Sequence, residues 1–198
     1  MRRLVARVRR FGGPVKHFGR AQEAVAAVEF ALIMPMLITL YLGSLELSQL
    51  ITVDQRITTI AGTVGDLVSR ANGSVSAASL TDYFQAATAI ISPLPTTGLT
   101  QVVTEYYIDP TTLKATVKWS QAYNGGTAKL AATVYNANTV VPASMTNVSK
   151  GGYVISSEAA YPYTPLLGLF FKTAFPLYHQ NFYAPRFAAI ICYNSSSC

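Results

Sequence analysis

The fold is decided by residues 24–71, which read AVAAVEFALIMPMLITLYLGSLELSQLITVDQRITTIAGTVGDLVSRA. Residues 24–45, 22 in number, hold a single charged side chain, Glu29. At about 1.5 Å per residue, a helix of that length spans about 33 Å, enough for a bilayer core of roughly 30 Å. The sequence therefore predicts a transmembrane helix over residues 25–50.

The helix is predicted to continue beyond the apolar segment, over residues 51–72. Apolar residues recur there at steps of 4, 3, 4 and 3, which places them on one helical face. They are Val53, Ile57, Ile60, Val64 and Leu67. An Asn-Gly pair at residues 72–73 is a typical C-terminal stop. This second half is therefore expected to be amphipathic.

Two residue types modify this helix. Pro35 lacks a backbone N–H, so it is expected to kink or locally melt the helix. Gly43, Gly62 and Gly65 weaken the helix but permit close packing against it.

The charge distribution gives an orientation. The net charge is +6, yet residues 1–20 alone carry seven basic side chains and no acidic one. A basic flank before an apolar segment places the N-terminus in the cytoplasm and the chain after about residue 50 outside. We expect contact with membrane lipid and no nucleic-acid partner.

The remaining sequence predicts an α+β fold, with the long N-terminal helix packed on a small antiparallel sheet. A capping box at Ser79–Asp82 predicts a second helix, which ends before Pro93. Strands are predicted over residues 101–108, 113–120, 153–161 and 182–192, the last at an edge or bulge because of Pro185. Residues 109–112 are a predicted turn and residues 121–150 are predicted to be loop-like. The short apolar run at residues 166–171 is expected to be a core segment or an interaction surface.

No catalytic or metal-binding motif is found. His17 and His179 have no companion ligand at metal spacing, and nothing selects a pair among the carboxylates of Asp66, Glu105 and Glu158. We expect no enzyme activity, no metal and no cofactor.

The two cysteines, Cys192 and Cys198, lie six residues apart with a small polar loop between them. Outside the cytoplasm a disulfide between them is allowed, and two free thiols are the alternative.

The stretch from Ala24 to Pro35 resembles the start of TadE-like proteins, the pseudopilins or minor pilins of tight-adherence (Flp, type IVc) pilus systems. The shared pattern is a basic leader, a small residue, four residues, Glu-Phe, and an apolar helix with an early Pro. The resemblance implies that a prepilin peptidase cuts between Ala24 and Val25, with Glu29 and Phe30 used for processing and filament recognition. The family usually has Gly where this chain has Ala24.

The resemblance also implies a role and a place. The chain is expected to be a pilin-like minor pseudopilin that assembles or initiates a type IVc pilus for surface attachment. Expected partners are the prepilin peptidase, a sister pseudopilin, the major pilin and the inner-membrane assembly platform. Residues 1–24 would be the cytoplasmic leader and residues 73–198 a periplasmic domain, with the chain in the bacterial inner membrane or carried into the pilus.

Two other classes remain open on the residues alone. One is an uncleaved single-pass protein that serves as a periplasmic scaffold or binding module. The other is a membrane-anchored periplasmic enzyme, which would need two coupled carboxylates in a deep pocket.

Overall fold

The computed structural model describes residues 22–132, 141–165, 168 and 172–198. The basic leader up to residue 21, with His17, and nearly all of the apolar run at 166–171 lie outside these residues. The chain divides into two units, Met1–Leu45 and Glu46–Cys198. One helix, α1 at Gln22–Ser69, supplies the described part of the first unit and opens the second.

The second unit carries the α+β fold that the sequence predicts. Its further helices are α2 at Ala77–Thr88, followed by a 3-10 turn at Ala89–Ile91, and α3 at Ala143–Val148. Its strands are β1 at Ser74–Val75, β2 at Thr100–Ile108, β3 at Ala115–Asn124, β4 at Lys129–Ala132, β5 at Tyr153–Tyr163, β6 at Phe175–Tyr183 and β7 at Cys192–Tyr193.

Five of these strands form one antiparallel sheet in the order β4-β3-β2-β5-β6. The predicted turn after Ile108 joins β2 to β3, where Asp109 accepts hydrogen bonds from the backbone N–H groups of Thr111 and Thr112. A β-bulge between Glu105 and Tyr106 interrupts the register of β2 on β3.

One face of the sheet packs against α1 and α2. The core on this side contains Ile57, Ile60 and Val64 of α1, each at most 1% exposed, together with Phe84 of α2 and Ile155 of β5. The amphipathic prediction is therefore confirmed, with one difference at its end. Val68 is fully buried and Leu67 is only partly buried, since the stripe continues by four residues from Val64.

The opposite face of the sheet carries a smaller apolar cluster. Tyr106, Ile108 and Val154 are buried there with Val141, and Met145 of α3 packs against them. The sheet is thus covered on both faces at this end, and six consecutive residues of β5, 154–159, are buried, three of them polar.

Three side-chain bonds join α1 to the edge strand β6 and the segment after it. Tyr183 donates its hydroxyl proton to the carbonyl oxygen of Gly62 (3.0 Å), His179 Nε2 lies 2.7 Å from Asp54 Oδ1, and Arg186 pairs with Asp66 (2.8 Å). These bonds fix the helix along the β6 side of the sheet.

The C-terminal segment is held by backbone bonds. Strand β7 pairs in parallel with β1, and the N–H of Cys192 donates to the carbonyl of Gly73. Ile191, fully buried, lies just before this pair.

Several predicted elements are wrong in position. The fourth strand is Phe175–Tyr183 and not residues 182–192, where Pro185 and residues 186–189 are irregular. The cap of α2 is Ser76, whose side chain accepts from the N–H of Ser79, because the helix starts three residues earlier than predicted.

The region 121–150 is also less loop-like than predicted. Strand β3 continues to Asn124, and both β4 and α3 lie within this region. Conversely, β3 begins at Ala115 and not at Leu113, which has a φ of 57° and so cannot extend the strand.

Candidate functional site

The first candidate site is the apolar part of α1 before residue 46. Most of its large apolar side chains are exposed, from Leu45 at 38% to Leu32 at 76%, and Leu42 is half-buried. The helix is long and apolar enough to cross a membrane, and none of its most apolar window is buried within the protein. A helix in the core of a soluble protein would be mostly buried, so this segment fits membrane anchoring.

Glu29 lies within that apolar surface as an exposed carboxylate. It stands four residues after Val25 in one continuous helix, so the two residues share a helical face one turn apart. A carboxylate at membrane depth costs about 2.5–3.5 kcal/mol on insertion scales, and it needs a partner there. A positive charge at Val25 is therefore within reach of Glu29.

Pro35 does not interrupt α1. The helix continues through it without a break, so of the two predicted effects local melting is not seen, and the kink stays a prediction. The hydroxyl of Thr39 donates to the carbonyl oxygen of Pro35 at 2.7 Å, one turn later. This bond gives the Pro35 carbonyl a side-chain donor, but it does not replace the missing Pro35 N–H, whose helical partner would be the carbonyl of Ala31.

The three carboxylates considered for catalysis are separated in the fold. Glu105 pairs in register with Ile155, and Glu158 lies three residues further along the same strand as Ile155. Since neighbouring residues of a strand point to opposite faces, Glu105 and Glu158 lie on opposite faces of the sheet. Asp66 is bound elsewhere, to Arg70 and Arg186.

Glu105 is fully buried and holds the C-terminal segment by a hydrogen bond. Its two carboxylate oxygens accept from the N–H of Ile191 (2.8 Å) and from the indole N–H of Trp119 (3.0 Å). Burial raises the pKa of Glu105 to about 7, against the lowering by these two bonds and by Lys118. The Glu105 carboxyl therefore anchors the C-terminal segment, and its pKa is raised.

Glu158 lies in a polar cluster with Tyr178, Gln180 and Ser156. The Tyr178 hydroxyl donates to Glu158 Oε2 at 2.9 Å, and burial together with this bond raises the pKa of Tyr178. Gln180 Nε2 donates to the Ser156 hydroxyl at 2.8 Å. The Tyr178 phenol thus stays protonated and acts as a donor.

His179 is bound to Asp54. Within the described residues, no group of three or more His, Cys, Asp or Glu side chains is placed to hold a metal ion.

The two cysteines are joined. Cys192 and Cys198 form a disulfide with a Cα–Cα distance of 5.6 Å. The bond closes a small ring at the C-terminus, directly after the buried Ile191. Of the two alternatives left by the sequence, the structure takes the bonded one.

Sequence reasoning missed Glu46. This acid follows the apolar segment directly, yet it is only 4% exposed. Its charge, with burial as the larger cause, raises the pKa of Tyr163. The signal was present in the sequence, because Glu46 is the second acid of the transmembrane helix predicted over residues 25–50.

Comparison with known proteins bears on the same helix. A family model described as TadE-like protein matches residues 24–64. The match covers the apolar segment and most of the amphipathic half, and it confirms the resemblance drawn from the Glu-Phe start. No curated protein and no solved structure matches the chain.

Proposed function

We propose, from the TadE-like match over residues 24–64, that this chain is a minor pseudopilin of a Tad pilus. In this role it has no active site of its own. It is inserted with its leader in the cytoplasm, cut by a prepilin peptidase, and used to assemble or initiate the pilus through contacts with a sister pseudopilin, the major pilin and the assembly platform.

The observation that carries this proposal is the position of Glu29, one helical turn from Val25 on an exposed apolar helix. Hydrolysis of the Ala24–Val25 peptide bond leaves a carboxylate on Ala24 and a new ammonium group on Val25. That ammonium, in the same chain or in a neighbour, neutralises Glu29 where water is absent.

The pair would also act in assembly. A lone carboxylate in the hydrocarbon region is disfavoured, and a neighbouring chain that brings an ammonium removes the cost. Recruitment of the next subunit is thereby coupled to processing, because an uncut chain carries no amine at Val25. The second unit, beyond residue 45, would supply the contacts outside the membrane.

A test uses Glu29→Gln, which keeps the size of the side chain and removes its charge. We expect normal insertion, a reduced pilus count by electron microscopy, and less of this chain in sheared pilus fractions. Glu23→Gln is the matched control, because the cut removes residue 23 and the mature chain is then wild type.

Normal piliation with Glu29→Gln would refute the amine–carboxylate pair. Loss of piliation with both variants would point to the leader and not to the mature helix. The second candidate function, an uncleaved anchored scaffold, is favoured by Ala24 at the position where the family usually has Gly, and it predicts that the leader is retained in the wild type and in both variants.

A further inference from the structure

The second unit carries a groove on α1 that neither the family match nor the proposed function assigns. It has a volume of about 290 Å³ and a mainly apolar lining. One wall is α1 itself, with Gln49, Thr52, Val53 and Arg56. The other wall includes Leu94 and Tyr163, and we call this groove the socket.

The helical wall of the socket has the geometry of a helix-packing groove. Gln49 and Val53 form one i, i+4 row, and Thr52 and Arg56 form the next row beside it. The space between two such rows is the groove into which a ridge of another helix inserts, at a crossing angle of about −50°. At about 290 Å³ the socket falls just below the volume range of ligand pockets, which is about 300–1,000 Å³.

The same helix carries a ridge of the matching kind. Leu47 and Ile51 form an i, i+4 pair, and they are 52% and 50% exposed. At about 100° per residue, they lie about 200° from Gln49 and Val53 respectively, on the opposite side of the helix. Leu47 lies near the end of the membrane-spanning segment predicted over residues 25–50, and Ile51 directly follows that segment, so this pair is available to pack against a second helix at the membrane boundary.

The charges beside ridge and socket are complementary. Asp54 lies on the ridge side, about 60° around the helix from Ile51, and its side chain is 43% exposed despite its bond to His179. Arg56 lies in the socket, where it is only partly buried and donates to the carbonyl oxygen of Ile91. An acid beside the ridge and a base in the socket favour a second copy of this chain as the occupant.

We propose that the Leu47–Ile51 ridge of one copy seats in the socket of a second copy. This inference rests on the proposed function, since both copies must be held in parallel in one membrane or filament. Because ridge and socket lie on opposite sides of the helix, the contact is head-to-tail. Each added copy leaves its own socket free, so the contact extends as a row and does not close as a symmetric pair.

The test is cysteine cross-linking between two differently tagged full-length chains in native membranes. One chain carries Ile51→Cys and the other carries Leu94→Cys, and a short bismaleimide is added. Since the native cysteines are bonded to each other, they do not react. The control replaces Leu94→Cys by Val148→Cys, a position on α3 that is 84% exposed.

We expect a cross-linked dimer bearing both tags from the Ile51→Cys and Leu94→Cys mixture, at least several-fold above the Val148→Cys control. Gln49→Cys, an exposed position on the other wall of the socket, repeats the test if Leu94→Cys lowers the amount of folded chain. It should give the same dimer with Ile51→Cys.

Three results would overturn the proposal. A dimer between two Ile51→Cys chains would show a symmetric contact. A cross-link from Leu94→Cys to a different protein would show that the socket takes another partner. No cross-link from either socket position would show that lipid or solvent fills it. Peptidase-dependent processing and Glu29-dependent piliation are measured in the same strains. If both are observed while the cross-link is absent, the socket contact is wrong and the proposed function stands.

Discussion

Substitution of alanine for two glycines of α1 should have opposite effects on stability. Gly62 and Gly65 both face Tyr183 of β6. A Cβ at residue 62 would lie 3.5 Å from the Tyr183 hydroxyl oxygen, which is ordinary contact. A Cβ at residue 65 would lie 2.3 Å from Cε2 and 2.5 Å from Cδ2 of the same ring, and 3.0 Å from Ser157 Cβ.

The magnitudes follow from two opposing terms. Alanine is favoured over glycine in a helix by about 0.8–1.0 kcal/mol, and Gly62→Ala should gain most of this. Gly65→Ala gains the same amount but overpacks the interface, at a cost of about 1–3 kcal/mol. Moving the Tyr183 ring also breaks its bond to Gly62, worth about 1 kcal/mol. The net loss for Gly65→Ala is therefore about 1–3 kcal/mol.

The assay is urea denaturation of the full-length chain in non-ionic detergent, followed by the fluorescence of Trp119, the only tryptophan. At a slope of about 1–3 kcal/mol per molar urea, Gly65→Ala should lower the midpoint by roughly 0.5–2 M, and Gly62→Ala should raise it slightly. In a Tyr183→Ala background most of the penalty of Gly65→Ala should disappear, because only the 3.0 Å contact with Ser157 Cβ remains. A midpoint that rises with Gly65→Ala, or a penalty unchanged in that background, would refute the packing argument.

Two further predictions concern the C-terminal segment. Because burial raises the pKa of Glu105 from 4.5 to about 7, the folded chain holds a proton that the unfolded chain loses between these values. Stability should therefore fall by about 3 kcal/mol as the pH rises from 4.5 to 7, and Glu105→Gln should flatten this slope in denaturation curves. Cys198→Ser opens the ring closed with Cys192 and should cost about 2 kcal/mol from the entropy of a small loop. Two results together would contradict this prediction: a Cys198→Ser midpoint equal to that of the wild type, and a wild-type midpoint that does not change when the disulfide is reduced.

The helix and the central strands could be predicted from the sequence because their apolar residues recur with a clear period. The steps from Val53 to Val64 define one face of α1, and β2 and β5 begin within one residue of their predicted starts. Glycine spacing also indicated close packing, and Gly62 and Gly65 do meet Tyr183. Local patterns of this kind are set by the chain itself.

Strand β6 could not be found in this way. Its residues 175–183 contain Pro176 and the polar run His179 to Asn181, so their pattern is weak. They are held as a strand by nine register pairs to β5 and by bonds to α1, which are tertiary contacts. A strand defined by its neighbours leaves little signal in its own sequence.

The features of the candidate site likewise fall into those that are local in the sequence and those that depend on tertiary contacts. Glu29 and the Glu-Phe start are local features, so a short stretch of sequence is enough to indicate the family. The burial of Glu46, the anchoring of Ile191 by Glu105, and the socket beside Leu94 each join residues far apart in the chain. Such features appear only once the sheet and the helices are assembled.

The central claim is that this chain is processed as a prepilin-like protein. The most direct test is N-terminal sequencing and intact mass of the chain purified from its native membrane, with and without the prepilin peptidase. The account predicts a start at Val25 when the peptidase is present and a chain that keeps its basic leader when it is absent. A retained leader in both membranes would contradict it, and would make the chain an uncleaved anchored protein.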